Sequence, residues 1–371
     1  MSDFMDYISW RGDLTFEQSA LNEVDSAMFS YMVYVDFSGI VSESDSPISL
    51  KEASDKFWAL HTEQEILDKP TLTKMSAFVL REMASSRRFA DLKLFAYVDE
   101  TSEEEQKQFA AMQIELDAEH IYLVYRGTDE TIVGWREDFN MVYLPEVPSE
   151  KRAFEYLRDT LENPVNSTKR YYVGGHSKGG HLAMYGAVRN AQLHDSRIAA
   201  VFNFDGPGLS DTMVKSEAYQ KIRPRIISYL PEQSFFGLML CHEEVIYGVR
   251  SSKSALLQHD PLSWQILGNS FLKCGITPQA LGLNEALKAW LFDLTLEERY
   301  LVIDCIFDSL AEADIRTIGD LADLNPAKIY ELVRGLKRME PEEKNLIGKC
   351  FKNLVRELKQ KGHDSEMLKL K

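Results

Sequence analysis

Cysteine is scarce. Cys241, Cys274, Cys305 and Cys350 stand far apart and form no C-x-x-C pair, so their spacing indicates neither a zinc site nor a disulfide framework, and reduced, buried thiols are the expectation. Positive charge is also short: 42 Lys and Arg against 58 Asp and Glu give a net charge of −16. That balance disfavours attraction to polyphosphate or anionic lipid and argues against nucleic acid as a partner. No stretch approaches the roughly 18 apolar residues a membrane span needs. The opening MSDFMDYISWRGD has no basic segment followed by an apolar one, so no secretory leader is read there. A soluble, cytoplasmic protein without an integral membrane segment is expected. Internal repeats and low-complexity tracts are absent as well.

What is present is ordinary globular material, 371 residues with 44% hydrophobic, enough for one large domain with an appendage or for two domains. The first ninety residues read as helices with polar starts. Thr15 stands three before Gln18 and Ser49 three before Glu52, the spacing of a capping box. MFSYMVYVDF, 28 to 37, is apolar nearly all round and predicts a buried helix. From about residue 92 the runs LKLFAYV, FAAMQIEL and IYLVYRG are short and rich in β-branched and aromatic residues, as neighbouring strands are. Strand and helix patterns then alternate: helix 149 to 162, strand 170 to 174, helix 178 to 193, strand 198 to 204, helix 211 to 221, strands 225 to 230 and 244 to 250. Such alternation implies an α/β fold, a mostly parallel sheet with helices on both faces. Beyond about 275 the strands stop. Thr295 with Glu298, Asn325 with Pro326, and Pro341 each open a helical pattern, which divides the chain into an α/β domain over 1–275, with a helical segment at 1–90, and a helical module over 276–371.

Within this pattern YYVGGHSKGGHLAMYGA, 171 to 187, places Ser177 in G-x-S-x-G between a strand and a helix, the setting that motif requires. A serine on so sharp a turn takes a strained backbone, and the residues two before and two after must lack Cβ. The turn exposes Oγ at the carboxyl end of the sheet beside a helix N-terminus. The plain alternative is a glycine-rich turn with an incidental serine.

A serine hydroxyl needs an imidazole in hydrogen-bond reach, itself held by a carboxylate. In hydrolases built this way the chain order is Ser, acid, His. His61 and His120 precede the serine, His194 ends a helix and His363 lies in the tail. His181 follows Ser177 by four on the same helix, His176 faces away from Oγ, and His242 lies on the amino side of the last strand. His259, in a loop after that strand, is the candidate base. For the acid, Glu232 lies on the loop one strand before, and Asp205, ending the preceding strand in FNFDGPG, competes with it. Asp260 is too near His259 in sequence to orient its ring. The unremarkable reading of both loop carboxylates is solvated charge or helix capping. The backbone N–H of Lys178, just after the serine, is the expected first oxyanion donor.

Arg126-Gly127-Thr128, followed by Trp135 and Asp138, resembles the strand-loop of fungal-lipase-like (class 3) α/β-hydrolases. FNFDGPGLS resembles their F-G-x-P-x-x-G stretch, and GGHSKGG their G-H-S-L-G-G turn. DSAMFSYMVYVDFSGI and the region from SFFGLML to HDPLSW more closely resemble a bacterial branch of that superfamily, a family whose domain is of unknown function. The matches span about residues 20 to 270. The resemblance implies the α/β-hydrolase fold and a second oxyanion donor at Thr128. It departs at two places. Lys178 replaces an apolar residue, and where class 3 lipases carry an aspartate followed by I-V-P, this chain reads Ser234-Phe-Phe-Gly.

The expected activity is therefore that of a serine hydrolase of the esterase or lipase type on carboxylic esters or thioesters, with a small acyl ester or lipid as substrate and no cofactor or metal. The alternative is an inactive hydrolase fold serving as a binding module for a lipid or protein partner. SFFGLML and Trp264 are candidates for an acyl pocket or lid, although such runs are usually core.

Overall fold

The computed structural model describes residues 2–316 other than 70, 72, 130, 142 and 293, and beyond them 344, 345 and 348. The expected helix over 327–339 and all but three residues of that over 342–358, together with His363 and Cys350, lie outside the described residues.

Eleven strands occur among the described residues: β1 (Ile48–Ser49), β2 (Lys93–Ser102), β3 (Lys107–Glu115), β4 (His120–Tyr125), β5 (Arg170–His176), β6 (Ile198–Phe204), β7 (Ile226–Pro231), β8 (Val245–Val249), β9 (Ile266–Leu267), β10 (Ser270–Phe271) and β11 (Lys273–Cys274). Nine form one sheet in the order β1-β2-β3-β4-β5-β6-β7-β8-β11, and β9 with β10 makes a separate ribbon. Strands β4 to β8 run parallel. Strands β1, β3 and β11 join their neighbours β2, β4 and β8 antiparallel. The fold is α/β, with a large, mostly parallel sheet.

Alternation along the strands sends side chains to two cores. Tyr122, Val124, Phe202 and Phe204 pack with α1 (Phe4–Arg11), α2 (Glu23–Met32), α3 (Leu50–Leu60), α4 (Glu63–Leu67) and α5 (Ser76–Ala84). Ile121, Leu123, Tyr125, Tyr171 and Val173 face the other way. With α6 (Ile132–Asn140) next along the chain, the helices on that second face are α7 (Pro148–Glu162), α8 (Lys178–His194), α9 (Asp211–Val214) and α10 (Glu217–Ile222).

The local signals need some correction. Ser49 caps α3, accepting from the Glu52 N–H at 3.1 Å. Thr15 opens only a single turn, although its N–H donates to Gln18 Oε1. The apolar run 28 to 37 is helical only to Met32; every residue of α2 from Val24 onward is buried. The helix expected at 211 to 221 is broken in two, because Ser216 turns out of the first piece and caps the second. Cys241, Cys274 and Cys305 are free thiols as expected but partly exposed rather than buried.

The chain groups into two compact units: one of Met1–Glu100, Phe109–Gly127 and Pro148–Ile276, and one of Thr101–Gln108, Thr128–Val147 and the chain from Thr277 onward. The break after 276 lies where the strands stop. Two inner segments nevertheless belong with the C-terminal part, because α6 packs on α12 (Leu296–Glu312) rather than being merely a strand connection. Arg136 reaches Asp304 and Asp308, and Phe139 meets Phe307 at 5.8 Å. The same unit contains α11 (Pro278–Phe292). Thr295 and Glu298 cap α12 reciprocally, as their spacing implied.

A buried ion pair ties down the N-terminal helices. Arg88 and Asp25 have fully buried side chains, with Arg88 Nε donating to Asp25 Oδ1 at 2.9 Å. The same guanidinium donates to the carbonyls of Leu14, Thr15, Ser19 and Ala20, so one side chain closes a loop that has little secondary structure of its own. No described helix is long and apolar enough to cross a membrane.

Candidate active site

Strand β5 ends in the glycine-flanked turn. A Cβ on Gly175 would lie 2.2 Å from the Gly179 carbonyl carbon, and one on Gly179 would lie 2.2 Å from the Tyr125 carbonyl oxygen. The turn can close only without those atoms. Ser177 has φ 58° and ψ −132°, a conformation that costs a non-glycine residue on the order of 1–3 kcal/mol and persists where its surroundings impose it. Those surroundings include its own N–H, which donates to the Phe204 carbonyl at 2.9 Å. Ser177 occupies the N-cap of α8, yet its side chain makes no capping hydrogen bond, unlike an ordinary N-cap serine. The hydroxyl is not spent on the helix. Lys178, the first residue of α8, is buried, so its side chain is not displayed to solvent as an anion-attracting group.

The carboxyl ends of β6, β7 and β8 supply the other candidates. Asp205 follows β6, with φ 53° and its N–H on the Tyr229 carbonyl at 2.9 Å. His259 Nδ1 meets Asp205 Oδ2 at 2.7 Å. A carboxylate only accepts, so Nδ1 carries the proton and Nε2 of the neutral ring keeps its lone pair. Asp205 is 1% exposed. Its other oxygen, Oδ1, accepts from the Ser234 hydroxyl. Ser234 stands where the resemblance puts an aspartate, and here it supports a carboxylate borne by the neighbouring strand.

Glu232 takes a different partner. Its carboxylate pairs with Arg250 at 3.0 Å, while its N–H extends the ladder to the Val249 carbonyl. The expectation that Glu232 would hold the histidine is corrected in this geometry: Ser251 bridges back to Trp264, and the loop between them carries His259 across to the ends of β5 and β6. Trp264 is fully buried and donates from Nε1 to the Gln258 carbonyl at 2.8 Å, so it braces this loop from the core rather than lining an acyl pocket. Phe236, from SFFGLML, lies against the His259 ring with centroids 4.6 Å apart.

His242 is engaged away from Ser177. His242 Nδ1 meets Glu244 at 2.6 Å. Burial alone would raise the Glu244 carboxyl, but hydrogen bonds from His242 and Ser228 and the charge of His242 outweigh it and hold the carboxyl at about 2. Asp260 caps the turn after His259, accepting from the Leu262 N–H at 3.0 Å. Sequence reasoning passed over His176 and Tyr34 as site residues. His176 Nε2 meets the His259 carbonyl at 2.7 Å, and the Tyr34 hydroxyl meets His176 Nδ1 at 3.0 Å. Tyr34 stands in an apolar run that signals only core, so no spacing rule could have found it. His176 was at least visible as the residue before the serine. Thr128, the expected second oxyanion donor, directly follows Gly127 in the chain and donates from its hydroxyl to Asp138 at 2.5 Å. Among the described residues no group of three or more His, Cys, Asp or Glu could hold a metal ion.

A profile of the Mbeg1-like family matches residues 83–308, most of the chain. The chain belongs to the Mbeg1-like family. That places it with the lipase-like α/β-hydrolases it was found to resemble. Among solved structures this Mbeg1-like chain is similar to the M37 lipase at 13% identity, covering 57% of this chain and 67% of that one with a TM-score of 0.35. It is similar also to a fungal lipase in complex with an inhibitor, at 16% identity, covering 52% and 82% with a TM-score of 0.34. No curated protein matches it.

One further contact of the Mbeg1-like chain steadies the Asp205 loop. His181 and Glu150 are both buried; His181 Nδ1 donates to the Gly208 carbonyl at 2.7 Å and Nε2 meets Glu150 at 2.8 Å. Burial would lower the pKa of this imidazole, but the hydrogen bond and charge of Glu150 and the nearby carbonyls raise it above 6.5. A pKa raised on folding gives stability that is full below the unfolded value and is lost as pH rises through the folded one. Urea unfolding between pH 6 and 9 should therefore show the parent losing stability relative to Glu150→Gln, in which the charged partner is gone. Parallel curves for the two proteins would contradict the pairing.

Proposed function

We propose that the chain is a serine hydrolase of the esterase or lipase type, acting on carboxylic esters or thioesters. Ser177 Oγ attacks the acyl carbonyl while His259 Nε2 takes its proton. Asp205, and not Glu232, holds the imidazole by Nδ1 and stabilises the cation that forms. The tetrahedral oxyanion is received by the backbone N–H of Lys178, at the N-terminus of α8. Collapse transfers the His259 proton to the leaving alcohol or thiol and leaves an acyl group on Ser177. Water, deprotonated by the same imidazole, then releases the carboxylic acid. None of these steps requires a cofactor or metal. The SFFGLML run, 234 to 240, and the exposed Leu256 and Leu257 supply apolar surface for an acyl chain. A cytoplasmic setting, where the free thiols stay reduced, belongs to the same reading.

The observation that supports it best is the 2.7 Å contact of His259 Nδ1 with Asp205, made beside a strained serine whose hydroxyl does not cap its helix. A fluorophosphonate probe tests it. The parent protein should label covalently, and Ser177→Ala should not. A parent that stays unlabelled would favour the binding module instead.

A further inference from the structure

We propose that His176 and Tyr34 are positioning residues for the base: Tyr34 fixes the His176 imidazole in one tautomer, and that imidazole holds the main chain of His259 against the end of β5. The proposal rests on the reading of Ser177 and His259 as nucleophile and base.

The hydrogen bonds fix the direction of each proton. The His259 carbonyl can only accept, so at 2.7 Å the His176 Nε2 carries the hydrogen. In the neutral ring Nδ1 then carries a lone pair, and the Tyr34 hydroxyl, 3.0 Å away, donates to it. The opposite tautomer would set a nitrogen lone pair against the carbonyl oxygen. His176 is 2% exposed. Burial, reinforced by the nearby His259, holds its pKa well below the ordinary value, against a smaller opposing effect of the carbonyl it donates to. It therefore stays neutral while His259 gains a proton and does not compete for it.

The base has need of such a hold. His259 ends a short 3-10 turn, Ala255–His259, and residues 252 to 257 before it are all exposed. The core side of the turn is held through Gln258, whose carbonyl receives the Trp264 N–H and whose amide donates to the Lys253 carbonyl. The site side is held by His176, with the two imidazoles packed at 4.5 Å between centroids. Because His176 immediately precedes Ser177, one residue ties the strand end that carries the nucleophile to the loop that carries the base. Tyr34 lies equally close: a Cβ on Gly127 would fall 2.1 Å from its hydroxyl oxygen and 3.1 Å from Ser177 Cβ. A displacement of the imidazole by about 1 Å is enough to cost on the order of a hundred-fold in rate.

The test measures second-order rates of fluorophosphonate labelling for the parent, Tyr34→Phe, His176→Leu and His176→Gln, with thermal unfolding of each. It adds ¹⁵N imidazole spectra of histidine-labelled parent and Tyr34→Phe. Tyr34→Phe and His176→Leu should label about ten- to a hundred-fold more slowly. His176→Gln should recover most of the loss, because its amide nitrogen can donate to the same carbonyl. The spectra should show His176 neutral and protonated at Nε2 in the parent from pH 5 to 9, and a tautomer mixture in Tyr34→Phe. Equal labelling by all four proteins would overturn the proposal, as would a glutamine variant as slow as the leucine variant. A parent that does not label but whose His176 is locked at Nε2 would defeat the hydrolase reading while leaving the hold on His259 in place. A parent in which Nδ1 carries the proton would defeat the hold itself.

Discussion

Asp205→Asn is expected to lower turnover of a p-nitrophenyl ester by about 10⁴-fold while leaving the fold intact. The asparagine fills the same space, but its amide can present an N–H to His259. The ring would then be held with its lone pair at Nδ1 and its hydrogen at Nε2, where the serine proton has to go. The loss should appear in kcat, because the interaction matters most once the imidazole is charged. Glu232→Gln is the paired measurement. Its carboxylate engages Arg250 at 3.0 Å and not the base, so turnover should change little. A drop with Glu232→Gln comparable to that with Asp205→Asn would return the acid to the β7 loop and refute the assignment. Ser234 strengthens the case for the β6 carboxylate, since its hydroxyl is given to Asp205. A carboxylate with one oxygen on a hydroxyl and the other on an imidazole has a fixed orientation.

The second large effect concerns stability. Arg88→Ala should cost about 3–5 kcal/mol, because it strands Asp25 as an unpaired charge away from water. It also removes the donor shared by the carbonyls of Leu14, Thr15, Ser19 and Ala20. The midpoint of urea unfolding should fall accordingly. Replacing both partners, as in Asp25→Leu with Arg88→Met, should recover part of the loss, since an apolar pair of similar volume carries no stranded charge. The recovery should be incomplete because the four carbonyls stay without their donor. If the single substitution unfolded at the parent midpoint, the pair would not be holding the N-terminal helices.

Much of the architecture was legible in the residues. Periodicity placed β4 to β8 and the helices α7 and α8 close to their observed bounds, because a strand buried on both faces and a helix with one apolar side leave different patterns. The turn at Ser177 was legible for a similar reason: closing it requires glycine at 175 and 179, and that requirement is local. Boundaries were less secure where tertiary packing outweighed local preference. The apolar run after Met32 continues past the end of α2 to carry Tyr34 toward His176, and the segment around Arg136 packs on α12 despite lying between two strands of the main sheet.

The sequence by itself determined the class of fold, the sharp turn at Ser177 and the short set of candidate partners for it, since each depends on residues adjacent in the chain or repeating at a helix or strand period. Which carboxylate meets His259 was decided only in three dimensions. Asp205 and His259 are 54 positions apart, and their meeting depends on the path of a loop that doubles back through the Ser251–Trp264 bridge. The pairing of His176 with the main chain of the base has the same origin. A contact made by loop closure is set by what the loop packs against, and nothing in the spacing of its two ends encodes that.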